Sequence, residues 1–275
     1  MQIGIMSGTF PRSTLEEELD AVADHGLGCM QFDLSSARLT HFPDRIDEDV
    51  CDSIRGEMST RKITMSAING MYNMIDPDNE KRQNGLRFLE TVASACDQLD
   101  TSIVSLCTGS RNPRSMWLPH PDNSSPEAWS DLISSMQQAV EIAEKYNVTL
   151  AFEPEVDNVI DSAKQARRLL DEIGSPHLKV VMDGANTFHK GELPRMREIL
   201  DEAFALLGDD VVLAHAKDLD HDGAAGHLAA GTGLLDYDHY LSLLSNLGSE
   251  VPLILHGLTE EQADGCIAFL QSKIA

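Results

Sequence analysis

Positive charge is scarce in this chain of 275 residues: 21 Lys and Arg stand against 45 Asp and Glu, for a formal net charge of −24. Nucleic acids and anionic membranes are gripped by clustered basic side chains, so this balance argues against both as partners. It reads as solubility or adaptation to salt and says nothing about fold. Long apolar runs are missing as well, and no stretch approaches the length of a membrane span. The opening MQIGIMSGTF has neither a basic start nor an extended apolar segment, so no secretory signal is read there. Cysteine is sparse: five residues, at 29, 51, 96, 107 and 266, with no CxxC pair. An odd, scattered set, three of them in or beside apolar runs, reads as reduced buried thiols in a cytoplasmic protein. No GxGxxG follows the first strand-like run, which removes the fingerprint of a dinucleotide site. The GxSxG nucleophile elbow and the zincin HExxH are also absent. There is no linker, low-complexity tract or readable repeat, so residues 1–275 read as one domain.

What is present is a regular alternation. Strand-like runs occur at 2–6, 28–33, 63–68, 102–107, 148–153, 178–183, 211–216 and 252–256. Helical patterns lie between them. The first opens at Thr14, with Glu17 at capping-box spacing, and runs to about Asp24. The second covers 47–61. The third is predicted from Asp76-Pro77, with Pro at the first helical position, to about Gln98. The fourth runs from Ser125-Pro126 to about Tyr146. The next three cover 158–173, stopped by Gly174, 192–207, closed by Gly208, and about 236–247, stopped by Gly248. Thr259 and Gln262 cap the last. Two long loops, 108–124 and 218–235, interrupt the pattern. Eight strand–helix units imply a parallel sheet, and eight is the number that closes a (β/α)8 TIM barrel. The predicted class is therefore α/β, with an open doubly wound sheet as the runner-up.

The strand ends carry the chemistry. In VVLAHAKD, residues 211–218, an apolar run ends in His215, Lys217 and Asp218, which is costly unless these groups have partners or a task. VTLAF ends at Glu153, LKVVM at Asp183 and PLIL at His256. Alternation sends Val148, Leu150 and Phe152 to one face and Thr149, Ala151 and Glu153 to the other. The bulky set suits the helix layer and the small set suits the barrel interior. The same counting turns Asp183, His215 and His256 inward at the C-terminal rim, where barrel enzymes place their chemistry. Two carboxylates and two imidazoles from consecutive strands make a metal set suited to Mn²⁺, Zn²⁺, Co²⁺ or Fe²⁺ more than to Mg²⁺ or Ca²⁺. The alternative is that Glu153 pairs with a base and each His is a satisfied rim residue.

Further candidates surround this set. Glu155 shares the parity of Glu153 and reads as a second ligand, a base, or a solvated carboxylate. Asn186, in DGAN, can bond a substrate hydroxyl or cap a turn. Lys217 can neutralise a developing oxyanion or form an ion pair with Asp218 or Glu153. Arg111 and Arg114 on the long loop can clamp a phosphate or carboxylate, and Trp117 can stack on a sugar beside His120. The alternative is a loop packed by its own side chains. Gly231-Thr232-Gly233 follows the seventh strand, where barrels often bind phosphate. His41, Asn69, Tyr72 and Asn73 follow strand ends and can line the mouth, whereas His25, His177, His189, His221 and His239 read as surface.

Taken together, NGMYNMIDP, SLCTGSRNP, LAFEPEVDNVIDSA, VVMDGANTFHKG, LAHAKDL and AGTGLLDYDHY resemble the sugar phosphate isomerases and epimerases of the xylose isomerase-like TIM-barrel superfamily. The resemblance covers essentially the whole chain. It implies that Glu153, Asp183 and His215 match three metal ligands of that superfamily. It also implies a divalent metal (Mn, Zn, Co or Mg), a small sugar or sugar phosphate as substrate, and a homodimer or homotetramer. Two positions depart from the pattern. The eighth strand usually ends in Glu, which in the epimerases exchanges protons with the strand-five Glu, and here the residue is His256. A DxxH spacing is usual where Asn186 stands. The expected function is a metal-dependent isomerase or epimerase working through an enediolate. Glu153 or Glu155 would move the proton, Lys217 and Asn186 would hold oxygens, and Arg111 and Arg114 would anchor a distal anion. Loss of the second Glu keeps two alternatives open: a dehydratase resembling inosose dehydratases, and a non-catalytic sugar-binding barrel. An apurinic endonuclease shares the barrel but needs more metal-binding histidines and a basic DNA face.

Overall fold

The computed structural model describes residues 1–40, 42–248 and 250–274, so His41 lies outside the described residues. Eight parallel strands close on themselves: β1 (Ile3–Met6), β2 (Cys29–Phe32), β3 (Thr64–Asn69), β4 (Ile103–Cys107), β5 (Thr149–Glu153), β6 (Leu178–Asp183), β7 (Val211–Asp218) and β9 (Leu253–Leu255). Neighbours pair in chain order, β6 pairs with β7, β7 with β9, and β9 returns to β1, so no edge is left open. Eight helices alternate with them: α1 (Leu15–Asp24), α2 (Glu48–Thr60), α3 (Asn79–Ala95), α4 (Pro126–Tyr146), α5 (Ala163–Ile173), α6 (Met196–Leu207), α7 (Tyr237–Ser245) and α8 (Glu260–Ile274). The expected (β/α)8 barrel is what the chain forms.

Two cores follow from strand parity. Cys29, Ala67, Ala151, Val181, Leu213 and Ile254 fill the inside of the barrel. Leu150, Phe152, Val180, Met182, Ala214, Leu253 and Leu255 face the helix layer. The small-inside, bulky-outside reading of β5 therefore holds, and every inward residue lies two before a rim position. Two strands carry an extra residue. Val180 pairs with Val211 but Val181 with Leu213, leaving Val212 over; Met30 pairs with Met65 but Gln31 with Ala67, leaving Ser66 over. Such bulges re-aim the side chains that come after them in the strand.

Caps place the helices. Thr14 Oγ1 accepts the Glu17 N–H at 3.2 Å, and Ser125 Oγ accepts that of Ala128 at 3.1 Å with Pro126 beginning α4. Gly174 ends α5 at φ +65°, the left-handed region that glycine enters without penalty. Three helices start later than the sequence predicts, α6 because a 3-10 turn, Leu193–Arg195, precedes it. Asp76 Oδ1 accepts the Asp78 N–H at 2.9 Å, which holds Pro77 in a turn, and Asp78 caps α3 instead. Residues 154–161 form a loop before Ser162 caps α5. In it Glu155 N donates to Ile160 O at 2.9 Å and Gly109 N to Asn158 Oδ1 at 2.6 Å, so this loop is tied to the one after β4. The 218–235 loop contains a short strand that the sequence reading missed: β8 (Leu228–Ala229), antiparallel to Lys217–Asp218. All five cysteines are buried and free of disulfides, as expected. Among the described residues no helix is long and apolar enough to cross a membrane.

Glycines inside helices separate by what surrounds them. A Cβ at Gly85 in α3 would sit 2.1 Å from the Tyr72 ring, whereas one at Gly56 in α2 meets nothing within 4 Å. Gly56→Ala is expected to stabilise the fold by about 1 kcal/mol through helix propensity. Gly85→Ala is expected to destabilise it by about 1–3 kcal/mol through overpacking. Chemical denaturation of the two variants checks the opposite signs.

Candidate functional site

The inward parity of β5, β6 and β7 brings Glu153, Asp183, His215 and Lys217 to one side of the rim, all of them buried. His256 follows β9 and continues its ladder, with its N–H on Ala216 O at 3.2 Å. Tyr240 from α7 clamps the strands beneath: its hydroxyl lies 2.9 Å from Met182 O and 3.1 Å from His215 O. His215 Nδ1 lies 3.4 Å from Glu153 Oε2 and 3.7 Å from Asp183 Oδ2, and Lys217 Nζ lies 3.2 Å from Asp183 Oδ2. Asn186 Nδ2 donates to Glu153 Oε1 at 2.5 Å, and Asn186 Oδ1 accepts the Gly226 N–H at 2.8 Å. The opening residues of the β7–α7 loop are thereby locked to Glu153.

Charges in this cluster support one another. Burial opposes ionisation of Glu153, but the His215 ring and the Lys217 ammonium outweigh it and hold the carboxyl below the ordinary range. Asp183 is held low in the same way, against burial, by Lys217, His215 and the Ala185 N–H. Burial alone would lower His215, yet Glu153 and Asp183 push it up to about 9. The carboxylates of Asp183, Glu153 and Glu155 likewise raise Lys217 against its burial. His256 goes the other way: burial, then the charges of His215 and Lys217, push it down to about 4. Glu155 is pushed up to about 8 by burial and by Glu153. Burial, then Glu155 and Glu153, push the Cys107 thiol up, away from the thiolate.

Three buried atoms here make no hydrogen bond: Asp183 Oδ2, His215 Nδ1 and His256 Nδ1. Buried polar atoms are rarely left so. Ligand atoms of these same three residues lie within 4.8 Å of one another. One carboxylate and two imidazole nitrogens, His256 held neutral, make a donor set that fits zinc or a neighbouring divalent transition metal. Glu153, the fourth expected ligand, stands beside the trio against His215 rather than inside it. A second trio, Asp220, His221 and His227, is exposed on the β7–α7 loop.

The remaining candidates are placed less centrally. Glu155 is buried, with Asn158 Nδ2 donating to its Oε1 at 3.3 Å. Asn73 joins two loops: its Nδ2 donates to Ser110 O at 2.8 Å, and its Oδ1 accepts from Ser110 N at 3.1 Å. Arg111 donates to Ile75 O at 2.8 Å and to Asp131 Oδ2 at 2.6 Å, which ties its guanidinium to the protein's own acceptors. Arg114 is exposed, and Trp117 is 43% exposed. His120 caps the turn Pro121–Ser124, accepting the Asp122 N–H at 3.2 Å, and lines a groove of about 530 Å³ with Trp129, Arg168 and His189. None of the rim cluster lines that groove. Tyr72 is buried against Gly85.

The Gly231-Thr232-Gly233 turn already holds an anion, the protein's own. Asp218 accepts the N–H groups of Gly231 at 3.0 Å and of Leu219, Gly233 and Leu235 at 2.9 Å each. Asp218 is thus a loop anchor, and the ion partner of Lys217 is Asp183 rather than Asp218. Gln31 was not anticipated. It is fully buried, and its Oε1 lies 2.8 Å from His215 Nε2. A lone amide in the apolar run CMQF was the available signal.

No curated protein matches the chain by sequence. Solved structures match its fold end to end. The structure of a D-tagatose 3-epimerase-like protein is 14% identical with a TM-score of 0.79, over 100% of this chain and 97% of that one. The IOLI protein, described with a binding zinc atom, is 18% identical with a TM-score of 0.75, over 100% and 98%. The probable 3-DHS dehydratase AsbF from Bacillus anthracis is 12% identical with a TM-score of 0.76, over 98% and 99%. At such identities the likeness is one of fold. A family model, by contrast, runs over residues 19–272, almost the whole barrel, and it places this chain in the xylose isomerase-like TIM-barrel family.

Proposed function

We propose that the protein is a sugar isomerase or epimerase that moves a proton between neighbouring carbons of a small sugar or polyol. A divalent cation would be held by Asp183, His215 and His256, with Glu153 as the fourth ligand. The observation that carries this reading is the trio of buried ligand atoms, two of them imidazole nitrogens with no hydrogen bond and the third a carboxylate oxygen paired with Lys217, beside an ionised carboxylate. Several structural neighbours are described as sugar epimerases, which supports the substrate class. When bound, the cation supplies Lewis-acid polarisation of a carbonyl and its adjacent hydroxyl. Glu153 takes the proton: it is ionised, dry, and fixed through Oε1 by Asn186. Glu155 keeps a proton near neutral pH and can return one, so two carboxylates, one closing β5 and one on the loop after it, divide base and acid between them. Lys217 faces the oxygen on which negative charge grows.

The substrate is proposed to be unphosphorylated. Two of the features that would bind phosphate are already engaged, Arg111 by Asp131 and the 231–233 turn by Asp218, and the third, Arg114, is exposed on its loop. A dehydratase is the second reading. It is favoured by the same protonated Glu155, which can give its proton to a departing hydroxyl, and by the loss of the second acid at His256. Elemental analysis, then turnover in D2O across aldoses, ketoses and cyclic polyols, tests both. Deuterium uptake without mass loss is the expected result, and loss of water selects the dehydratase. Absence of bound metal together with absence of turnover would refute the enzyme reading, and ligand-induced thermal shifts alone would leave a silent sugar-binding barrel.

A further inference from the structure

Resting on the metal reading above, we infer that Asp33, on the far side of the barrel mouth, dictates which nitrogen of His215 is offered to the cation, through Asn69 and Gln31. Asn69 Nδ2 donates to Asp33 Oδ2 at 3.1 Å. Gln31 Nε2 donates to Asn69 Oδ1 at 2.8 Å and to Ser105 Oγ at 3.0 Å, while Ser105 Oγ donates to Asn69 Oδ1 at 2.8 Å. Gln31 Oε1 then meets His215 Nε2 at 2.8 Å. Each link has a direction, and the direction starts at the carboxylate. Both oxygens of Asp33 stand as acceptors, Oδ1 for the Ser35 N–H and Oδ2 for Asn69, so the amide of Asn69 turns its nitrogen toward Asp33 and its oxygen inward. That oxygen requires the nitrogen of Gln31, which leaves the oxygen of Gln31 for the ring. An oxygen facing Nε2 requires a proton there. Nδ1, the atom beside Asp183 and Glu153, is therefore the nitrogen free to present a lone pair.

Reversing Gln31 would set its oxygen against that of Asn69, and reversing Asn69 would set nitrogen against nitrogen at the fully buried Gln31, where an unmet polar contact is costly. Ser105 is a rotor and follows either direction. Partners of this kind fix ring orientation and tautomer in metal sites generally, and their loss costs about 10- to 100-fold in affinity. Here the determinant is three side chains away from the metal trio. Asp33, Asn69 and Gln31 are positioning residues and touch no substrate in this scheme.

The test is an isosteric change. In Asp33→Asn the new carbonyl can keep the Ser35 N–H, which Asp33 Oδ1 accepts at 2.9 Å, and so turns an NH₂ toward Asn69. The whole chain then reverses, and the proton moves from Nε2 to Nδ1. Full-length protein labelled with ¹⁵N-histidine, metal-free and in alkaline buffer, is expected to show a protonated His215 Nε2 in the wild type and a protonated Nδ1 in the variant. Zn²⁺ affinity by calorimetry is expected to fall about 10- to 100-fold. The double variant Asp33→Asn with Asn69→Asp swaps acid and amide, restores the acceptor facing Gln31, and is expected to recover both readouts. Ser35→Ala removes a hydroxyl that also bonds Asp33 and is expected to change neither. An unprotonated Nε2 in the wild type, or a double variant as weak as the single one, overturns the inference. If the wild type takes up no Zn²⁺, the metal reading falls instead, while the ¹⁵N spectra still decide the relay.

Discussion

Glu153→Gln is expected to lower kcat about 100- to 10,000-fold, the usual contribution of a positioned general base. The change is nearly isosteric. A glutamine carbonyl still accepts from Asn186 Nδ2, so the contact that now measures 2.5 Å survives and with it the link to Gly226. What disappears is the negative charge beside His215 and Lys217 and the ability to carry a proton. The melting temperature should therefore move little while turnover collapses. Steady-state kinetics on the substrate found in the sugar panel, with metal content measured on the same preparation, separates the two roles given to this residue. Turnover at wild-type level would remove Glu153 from the chemistry. Lost metal with proportionally lost activity would make it a ligand first and a base second.

Asp218→Ala is expected to be the most destabilising single substitution near the site. Four backbone N–H groups converge on this one buried carboxylate. Hydrogen bonds to charged groups contribute about 1.5–3 kcal/mol each, and orphaned buried donors add a further penalty. Part of that loss is recovered as the loop opens to water, so a net cost of about 3 kcal/mol is the expected floor, or roughly 6–12 °C in Tm for a chain of this size. The damage is also expected to reach the chemistry, because the same loop supplies the Gly226 N–H that orients Asn186 against Glu153. Thermal melts and kcat should fall together. A variant that melts like the wild type would show the carboxylate to be dispensable for the loop.

Much of the barrel was legible because parity and alternation are local. VTLAFE states its own inside and outside, and the small residues it assigns to the interior are where Ala151 is found. The rim set was legible for the same reason: a polar residue closing an apolar strand has few neutral explanations. Asp183, His215 and His256 are gathered as that logic requires, and Glu153 stands beside them. Less legible was whatever depends on a partner distant in sequence. Arg111 looked free until Asp131, from a helix twenty residues on, took its guanidinium. The 231–233 turn looked like a phosphate cradle because nothing in Gly-Thr-Gly reveals that Asp218 fills it. The start of α3 was misplaced where Asp76 and Asp78 compete to cap it, and that of α5 because residues 154–161 are held as a loop by the segment after β4. Gln31 was overlooked because a single amide in a four-residue strand acquires meaning only when His215, 184 positions away, is seen against it.

The surplus residue at Val212 gives β7 one residue of slack. Pairing passes from Val180–Val211 to Val181–Leu213 by stepping over it. A frame that lost this one codon would leave Val211 and Leu213 opposite the adjacent residues they already face, one outward and one inward. His215 would still lie beside Asp183, and the mouth would keep its lining. β5 has no such reserve: its ladder runs without a step from Leu150 to Phe152, so one residue lost there would swing Glu153 under the helices. Deletions should therefore be far better tolerated at Val212 than anywhere in β5.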